Sequence, residues 1–223
     1  MSLDLQGERL YQQVDLVRGV GNPLRGELCI MSLVAYLANE QHTDRPRTAS
    51  SFVRNFAIQL NDGAPTALRQ DLKPFAPRII GTNDGHDLQR ASLAYRVITE
   101  EVWPRAERDA VVVLDDVVHE PCEKGLWSFA TSLRRRSAKP NITACFHALC
   151  DAHERGDCLA IGTLAGQLLV ELVQRVPTLQ QWYWAKALEL LDRLCDLGRD
   201  ERVSTMGFSI RSGSPSRSHS IAD

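Results

Sequence analysis

Apolar side chains recur along this sequence at the 3.6-residue period of an α-helix, and no stretch shows the two-residue period of a half-buried strand. The clearest case is residues 48–62, where one apolar stripe follows Ser50, a residue placed to cap the helix start. Asn61, Asp62 and Gly63 are typical of a helix end. This periodicity predicts an all-α protein.

The same period predicts helices over most of the chain, in a compact array of eight to ten that forms a single domain at residues 1–202. Pro65 begins a short helix ending near Lys73, and Pro74 and Pro77 break the chain that follows into single turns. Residues 110–114, AVVVL, are the one strand-like run, and we interpret them as a buried helix because no second run could pair with them. The remaining predicted helices span residues 26–40, 87–103, 123–136, 141–154, 157–176 and 178–197, and Pro104 begins a new or kinked segment that runs to about residue 118.

The segment at residues 157–176 is expected to be the central helix, because its polar side chains form only one narrow stripe. Gly162 and Gly166 lie one turn apart on it, so a neighbouring helix could approach closely at that point. Beyond it, residues 203–223 are rich in Ser, Gly and Arg and are predicted to form a flexible tail.

Composition and charge exclude several classes of protein. The chain has 43% hydrophobic and 24% charged residues, which is the composition of an ordinary globular protein. Its 26 basic and 28 acidic residues give almost no net charge, which argues against a protein that binds nucleic acid through bulk positive charge. Arg134, Arg135, Arg136 and Lys139 form a local basic run, which fits a helix C-terminus and only weakly a phosphate contact. No apolar run reaches the roughly 20 residues of a membrane span and the first residues are polar, so we expect a cytoplasmic protein without membrane contact.

The cysteines agree with a reducing compartment. There are 6 of them and no CxxC pair, so reduced thiols are expected and neither a redox motif nor a zinc knuckle is predicted. One dense group of possible soft metal ligands consists of Cys145, His147, Cys150, His153 and Cys158. We interpret these residues mainly as core packing, and a zinc site is the weaker alternative. We predict no metal and no cofactor. Asp84, His86 and Asp87 are likewise interpreted as a helix start with acidic residues.

Polar residues in the loops of residues 26–82 are the candidate binding site. If the helices fold back antiparallel, two or three of these side chains could line one cleft, where Arg78 or Arg45 meets an anion and His42 acts as donor or base. The alternative is that the two acidic residues end or cap helices and Arg78 pairs with one of them. The candidates are His42, Asp44, Arg45, Asn61, Asp62 and Arg78.

Trp182, Tyr183 and Trp184 are the most informative aromatic residues. Successive helical residues point about 100° apart, so the three rings cannot all face one core and at least one must lie at a rim or an interface. Aromatic residues are enriched at the centres of protein contacts. All three are therefore interface candidates.

Residues 26–82 also carry a recognisable block: GELCIMSLVAYLANEQHTDRP, then FAIQLNDG, then LKPFAPRIIGT. This block resembles the opening of a family of uncharacterised bacterial proteins, and RASLAYRVITEEVWP and LELLDRLCDL resemble later pieces of its pattern. The family implies no activity, cofactor or catalytic residue. In the loop, His42-Thr43-Asp44-Arg45 replaces a Trp-Ser-Asp-His-type sequence, which weakens the case for a metal-binding Asp-His pair.

Apolar patterning is abundant and no familiar catalytic motif is present: the sequence has no phosphate-binding glycine loop, no GxSxG and no HExxH. We therefore expect a helical interaction or accessory protein that binds a protein partner or a second copy of itself. The alternative is a small enzyme or ligand-binding protein that uses the polar loops of residues 26–82.

Overall fold

The computed structural model describes residues 13–109 and 142–199. Of these residues 73% are helical and 4% are in strands, which confirms the all-α prediction. The predictions for residues 110–114, 123–136 and 203–223, and for the basic run at residues 134–139, lie outside the described residues.

The described residues form nine α-helices and three short strands. The α-helices are α1 (Ile30–Leu37), α2 (Ser51–Gly63), α3 (Thr66–Arg69), α4 (Ala76–Ile79), α5 (Asp87–Val97), α6 (Trp103–Arg108), α7 (Ile142–Glu154), α8 (Cys158–Arg175) and α9 (Gln180–Asp196). Short 3₁₀ turns cover Pro23–Arg25, Gln70–Phe75 and Pro177–Leu179, and a π-helical turn, Ile98–Val102, joins α5 to α6.

A small sheet precedes α1, and the sequence pattern did not predict it. Its strands are β1 (Asp15–Leu16), β2 (Gly21–Asn22) and β3 (Glu27–Leu28), with β3 in the middle, parallel to β1 and antiparallel to β2. The prediction that a helix starts at residue 26 was therefore wrong. The helix begins only at Ile30, because residues 27 and 28 pair with two strands and the Cys29 sulfur accepts the N–H of Ser32 as its cap.

The predicted central helix is confirmed in α8, which packs against α2, α5, α7 and α9. It runs parallel to α2, and both predicted glycines lie at this contact. A Cβ on Gly162 would come 3.1 Å from the carbonyl oxygen of Phe52, and one on Gly166 would come 2.9 Å from that of Phe56. The two helix backbones thus approach so closely that a side chain added at either position would force its neighbours to shift.

Helix α2 also begins as predicted, since the Ser50 hydroxyl accepts the N–H of Val53 at 3.1 Å. It continues to Gly63, through the residues expected to end it. The reason is that Asn61 and Asp62 direct their side chains to the sheet segment and not to their own backbone.

The prolines interrupt the chain where they were expected to. Pro65 is the N-cap of α3, and Pro74 and Pro77 lie in the 3₁₀ turn and the first turn of α4. The single helix predicted from Pro65 to about Lys73 is therefore two short ones. Pro104 occupies the first turn of α6, after the π-helical turn.

Several helix ends meet at one end of the molecule. The Ser50 hydroxyl at the start of α2 hydrogen-bonds the Asp87 carboxylate at the start of α5. The end of α9 reaches the same place, where Arg90 contacts the carbonyl oxygen of Leu194 at 2.9 Å.

Within the described residues no single helix is long and apolar enough to cross a membrane. Among these residues only α8 together with the segment Pro177–Asp196 has the necessary length and apolar composition, and this pair is bent by 111°.

Candidate functional site

The six candidate binding residues lie in three separate places. His42, Asp44 and Arg45 are in the loop between α1 and α2. Asn61 and Asp62 contact the sheet segment, and Arg78 contacts α9. The structure does not bring the six together.

Asn61 and Asp62 hold the N-terminal sheet segment onto α2. The buried Asn61 side chain accepts the N–H of Ile30 at 3.1 Å and donates to the carbonyl oxygen of Val17 at 2.8 Å. The Asp62 carboxylate accepts the N–H of Gly19 at 2.9 Å. Asp62 also lines a shallow polar groove with Gln59, Gln167 and Gln174.

Arg78 pairs with two carboxylates of α9, so the expectation that it pairs with Asp44 or Asp62 was wrong. Its guanidinium makes ion pairs with Asp192 and, at 2.7 Å, with Asp196. Arg199 donates to the Arg78 carbonyl oxygen at 3.1 Å. These contacts attach the α4 segment to the end of α9.

The loop after α1 encloses an open cavity of about 620 Å³. His42 and Arg45 line it, and Arg47, which the sequence pattern did not single out, lines it as well. Asp44 is not among its lining residues and approaches Arg45 only at 4.0 Å. This cavity, the loop pocket, is lined by Asn39, Glu40, Gln41, His42, Thr43, Arg45 and Arg47.

A buried arginine network at the end of the molecule was missed by sequence reasoning. Arg90 is fully buried on the apolar face of α5, and its five N–H groups are all hydrogen-bonded. Two bonds, at 2.7 and 2.9 Å, go to the Asp84 carboxylate. Three more go to the carbonyl oxygens of Thr82, Leu194 and Leu197, at 2.9, 2.9 and 3.0 Å, and the Asp87 carboxylate accepts a longer one at 3.4 Å. The one available signal was a basic residue inside an apolar stripe.

Asp84 is held in its ionised form by this network. Burial by itself raises the pKa of the Asp84 carboxyl, but hydrogen bonds from Arg90 and His86 outweigh burial and lower the pKa to about 2. The N–H groups of the Arg90 guanidinium all donate hydrogen bonds to backbone carbonyl oxygens or carboxylates of the protein. Arg90 is therefore a structural residue with no donor left for a ligand.

The group of cysteines and histidines at residues 145–158 belongs to α7 and the start of α8, and its side chains make separate contacts. His153 stacks on Tyr95 with ring centroids 3.7 Å apart, and the Cys145 sulfur lies 3.6 Å from the Leu164 carbonyl oxygen. His147 is near the Phe146 ring. Within residues 13–109 and 142–199, no three His, Cys, Asp or Glu side chains are grouped so that they could hold a metal ion.

The five cysteines in the described ranges are free thiols. Burial raises the pKa of Cys145 and of Cys195 to about 12, and burial also raises the pKa of Cys29. Since only the thiolate is a good nucleophile, these three buried cysteines are packing residues.

The three successive aromatic residues of α9 divide as the helical geometry requires. Tyr183 and Trp184 are buried, and their polar atoms donate to Asp109 at 3.2 Å and to Asp71 at 2.9 Å. Trp182 is only partly buried. Burial raises the pKa of the Tyr183 phenol, so this group acts as a donor at neutral pH.

Two basic side chains hold the Trp182 ring in place. The Arg105 guanidinium lies 5.2 Å from the ring centroid and the Lys186 ammonium 5.9 Å, which are cation–π distances. Arg105 in turn bonds Asp109 at 2.7 Å. A large aromatic ring is therefore fixed at the surface between α6 and α9.

Charges of both signs continue along α9 from this ring. Lys186 donates to Glu101 at 2.8 Å and to Glu189 at 2.7 Å, and Arg193 lies 3.6 and 3.5 Å from the same two carboxylates. The hydrogen bond from Lys186 lowers the pKa of Glu101. We call this surface the aromatic face; it consists of Glu101, Arg105, Trp182, Lys186, Glu189 and Arg193.

No family model, no curated protein and no solved structure matches this chain.

Proposed function

We propose that this protein is a helical interaction protein, and that it associates with a second copy of itself through the aromatic face. The observation that carries the proposal is Trp182, a large ring kept at the surface while its two aromatic neighbours are buried. Tryptophan is among the residues most enriched at the energetic centres of protein contacts.

The ring is also preorganised for contact. Arg105 and Lys186 come from different helices and both contact the Trp182 ring, and Tyr183 meets it edge-on with centroids 5.0 Å apart. A side chain that is already fixed loses little conformational freedom on binding. Trp182 therefore has the properties of an interface anchor.

The charge pattern supports a second copy as the partner. A two-fold interface brings one surface against itself, so each negative group needs a positive group on the same surface. The aromatic face meets this condition, because Lys186 and Arg193 alternate with Glu101 and Glu189 across two neighbouring segments. Side chains of both signs can therefore meet oppositely charged side chains of the second copy.

The alternative, an enzyme using the polar loops, has less support. It needed two or three of the six candidate residues to line one cleft, and only His42 and Arg45 share a cavity, while Asn61, Asp62 and Arg78 lie elsewhere. Asn61, Asp62 and Arg78 are also committed to contacts that hold segments of the fold together.

A bacterial cytoplasmic setting completes the proposal. It is supported by the resemblance of residues 26–82 to uncharacterised bacterial proteins and by the free thiols of the described cysteines, which are typical of a reducing compartment.

The test is sedimentation velocity over a concentration series with a charge reversal, Glu189→Lys. Wild type should reach the mass of two chains. The variant should associate about tenfold more weakly or worse, because like charges placed face to face cost about 1.4 kcal/mol or more.

Glu154→Lys, at an exposed position near the end of α7, is the matched control and should behave as wild type. A wild-type chain that stays monomeric throughout contradicts self-association. Equal weakening by both variants contradicts the role of the aromatic face.

A further inference from the structure

The loop pocket is built on a loop whose two ends are tied together. The Glu40 carboxylate accepts the backbone N–H of Arg47 at 2.8 Å and of Thr48 at 3.2 Å. Asn39 adopts a left-handed conformation with φ 58°, which turns the chain out of α1. The loop therefore has a defined concave shape.

Its far end is also fixed to the rest of the fold. The Thr48 carbonyl oxygen accepts the N–H of Gly81 at 3.0 Å and of Asn83 at 3.1 Å, and Asn83 donates to the Arg47 carbonyl oxygen at 2.9 Å. Pro46 is buried beneath the loop. Arg47 thus projects from a backbone held on both sides.

The charge of the pocket is positive. Among the residues that the structure describes, Glu40 is the one carboxylate that lines it, and both of its oxygens are already bound to backbone amides of the loop. The other ionisable lining residues are His42, Arg45 and Arg47, all exposed. The Asp44 carboxylate lies 4.0 Å from the Arg45 guanidinium. The Arg45 side chain is 79% exposed, so solvent screens this ion pair.

Neutral donors complete the lining. The Thr43 hydroxyl oxygen accepts the N–H of Arg45 at 3.1 Å, an arrangement that leaves the hydroxyl hydrogen for a ligand. Asn39 and Gln41 add side-chain amides. Two guanidinium groups with an imidazole and a hydroxyl match a group that carries several acceptor oxygens and more than one negative charge.

We propose that the loop pocket binds the phosphoryl group of a small phosphorylated ligand. A phosphoryl group has about two negative charges and three strong acceptor oxygens, which the two guanidinium groups can share. The cavity, at about 620 Å³, has the size of an ordinary small-molecule site, so it has room for the group to which the phosphate is attached.

The experiment is a titration of the ¹⁵N-labelled full chain with inorganic phosphate and with pyrophosphate, followed by NMR at constant ionic strength. Saturable shifts are expected in the backbone amides of residues 39–45, 47 and 48 and in the side-chain N–H signals of Arg45 and Arg47. Arg45→Gln and Arg47→Gln should each weaken binding about tenfold, since each removes one charge-assisted contact.

Arg25→Gln, at an exposed arginine of the sheet segment, is the charge-matched control and should bind as wild type. Equal binding by all three variants overturns the proposal, as do shifts that chloride reproduces at the same ionic strength. The site does not depend on self-association, so Trp182→Ala should bind phosphate as wild type does.

Discussion

Asp84 and Arg90 form a buried ion pair that fixes the end of α9 to the loop before α5. Arg90 is fully buried, and the Asp84 side chain is 10% exposed. Removing one charge of a buried pair costs about 3–5 kcal/mol when the other charge loses its partner, and Arg90 would keep only the more distant carboxylate of Asp87, at 3.4 Å and 35% exposed. Asp84→Asn should therefore lower the free energy of unfolding by about that amount in urea denaturation.

Asp196→Asn is the matched control, because this carboxylate is 56% exposed and its ion pairs are at the surface. A surface pair contributes about 0–1 kcal/mol, so the control should unfold close to wild type. Equal stability of the two variants would show that the Arg90 network does not hold this end of the molecule together.

The same pair predicts an acid dependence. The pKa of Asp84 is lowered from its ordinary 3.8 to about 2, so its stabilisation is complete above the ordinary value and is lost as the pH falls towards 2. The free-energy difference between wild type and Asp84→Asn should shrink over that window. A constant difference from neutral pH down to pH 2 would mean that the Asp84 pKa is not lowered.

The crossing of α2 and α8 predicts a graded effect of adding a methyl group. An alanine Cβ at position 166 would lie 2.8 Å from the Gln59 Cβ and 2.9 Å from a backbone oxygen, so the helices must move apart. At Gly162 the nearest atoms are 3.1 Å and more away, so smaller shifts suffice. Gly166→Ala should destabilise by about 1–3 kcal/mol.

Gly162→Ala serves as the internal control of this pair. Its mild crowding is offset by the gain of about 1 kcal/mol in helix propensity, so its net effect should be near zero. Thermal unfolding of both variants measures the difference. A Gly166→Ala variant at least as stable as Gly162→Ala would contradict the close approach of α2 and α8.

Elements with a repeating pattern could be predicted from the sequence, and elements fixed by distant contacts could not. Helices α2, α7, α8 and α9 have several turns of periodic apolar residues, so their positions were predicted to within a few residues. The strands have two residues each, too few to show alternation. They depend instead on contacts such as the Gln70 amide, which bonds both the N–H and the carbonyl oxygen of Leu16.

In the candidate site too, residues close together in the sequence could be predicted and contacts between distant residues could not. His42 and Arg45 were predicted to be binding residues, and both line the loop pocket because they are close in sequence. Arg47 was not predicted, because none of its neighbours in the sequence distinguishes it from an ordinary solvent-exposed arginine. Arg78 was grouped with them because the direction in which α4 presents its side chain depends on α9, which is more than 100 residues further along the chain.

At the scale of the whole molecule, the helical content predicts the far-UV circular dichroism spectrum. The described residues are 73% helical and 4% strand, so the minima of α-helix should dominate. The measurement needs only the purified full chain. A spectrum rich in β-sheet would contradict both the all-α architecture and the central position of α8.

The central claim is that the aromatic face is a self-association surface, and comparing Trp182→Ala with Trp184→Ala by sedimentation and thermal unfolding tests it most directly. Trp182→Ala should weaken association by about 30-fold, the equivalent of about 2 kcal/mol, with a small effect on melting. Trp184→Ala should lose about 3–5 kcal/mol of folding free energy, because that side chain is only 3% exposed, and the folded chains should still associate. A Trp182→Ala variant that keeps the wild-type mass at every concentration while melting early would contradict the claim, because Trp182 would then stabilise only the single chain.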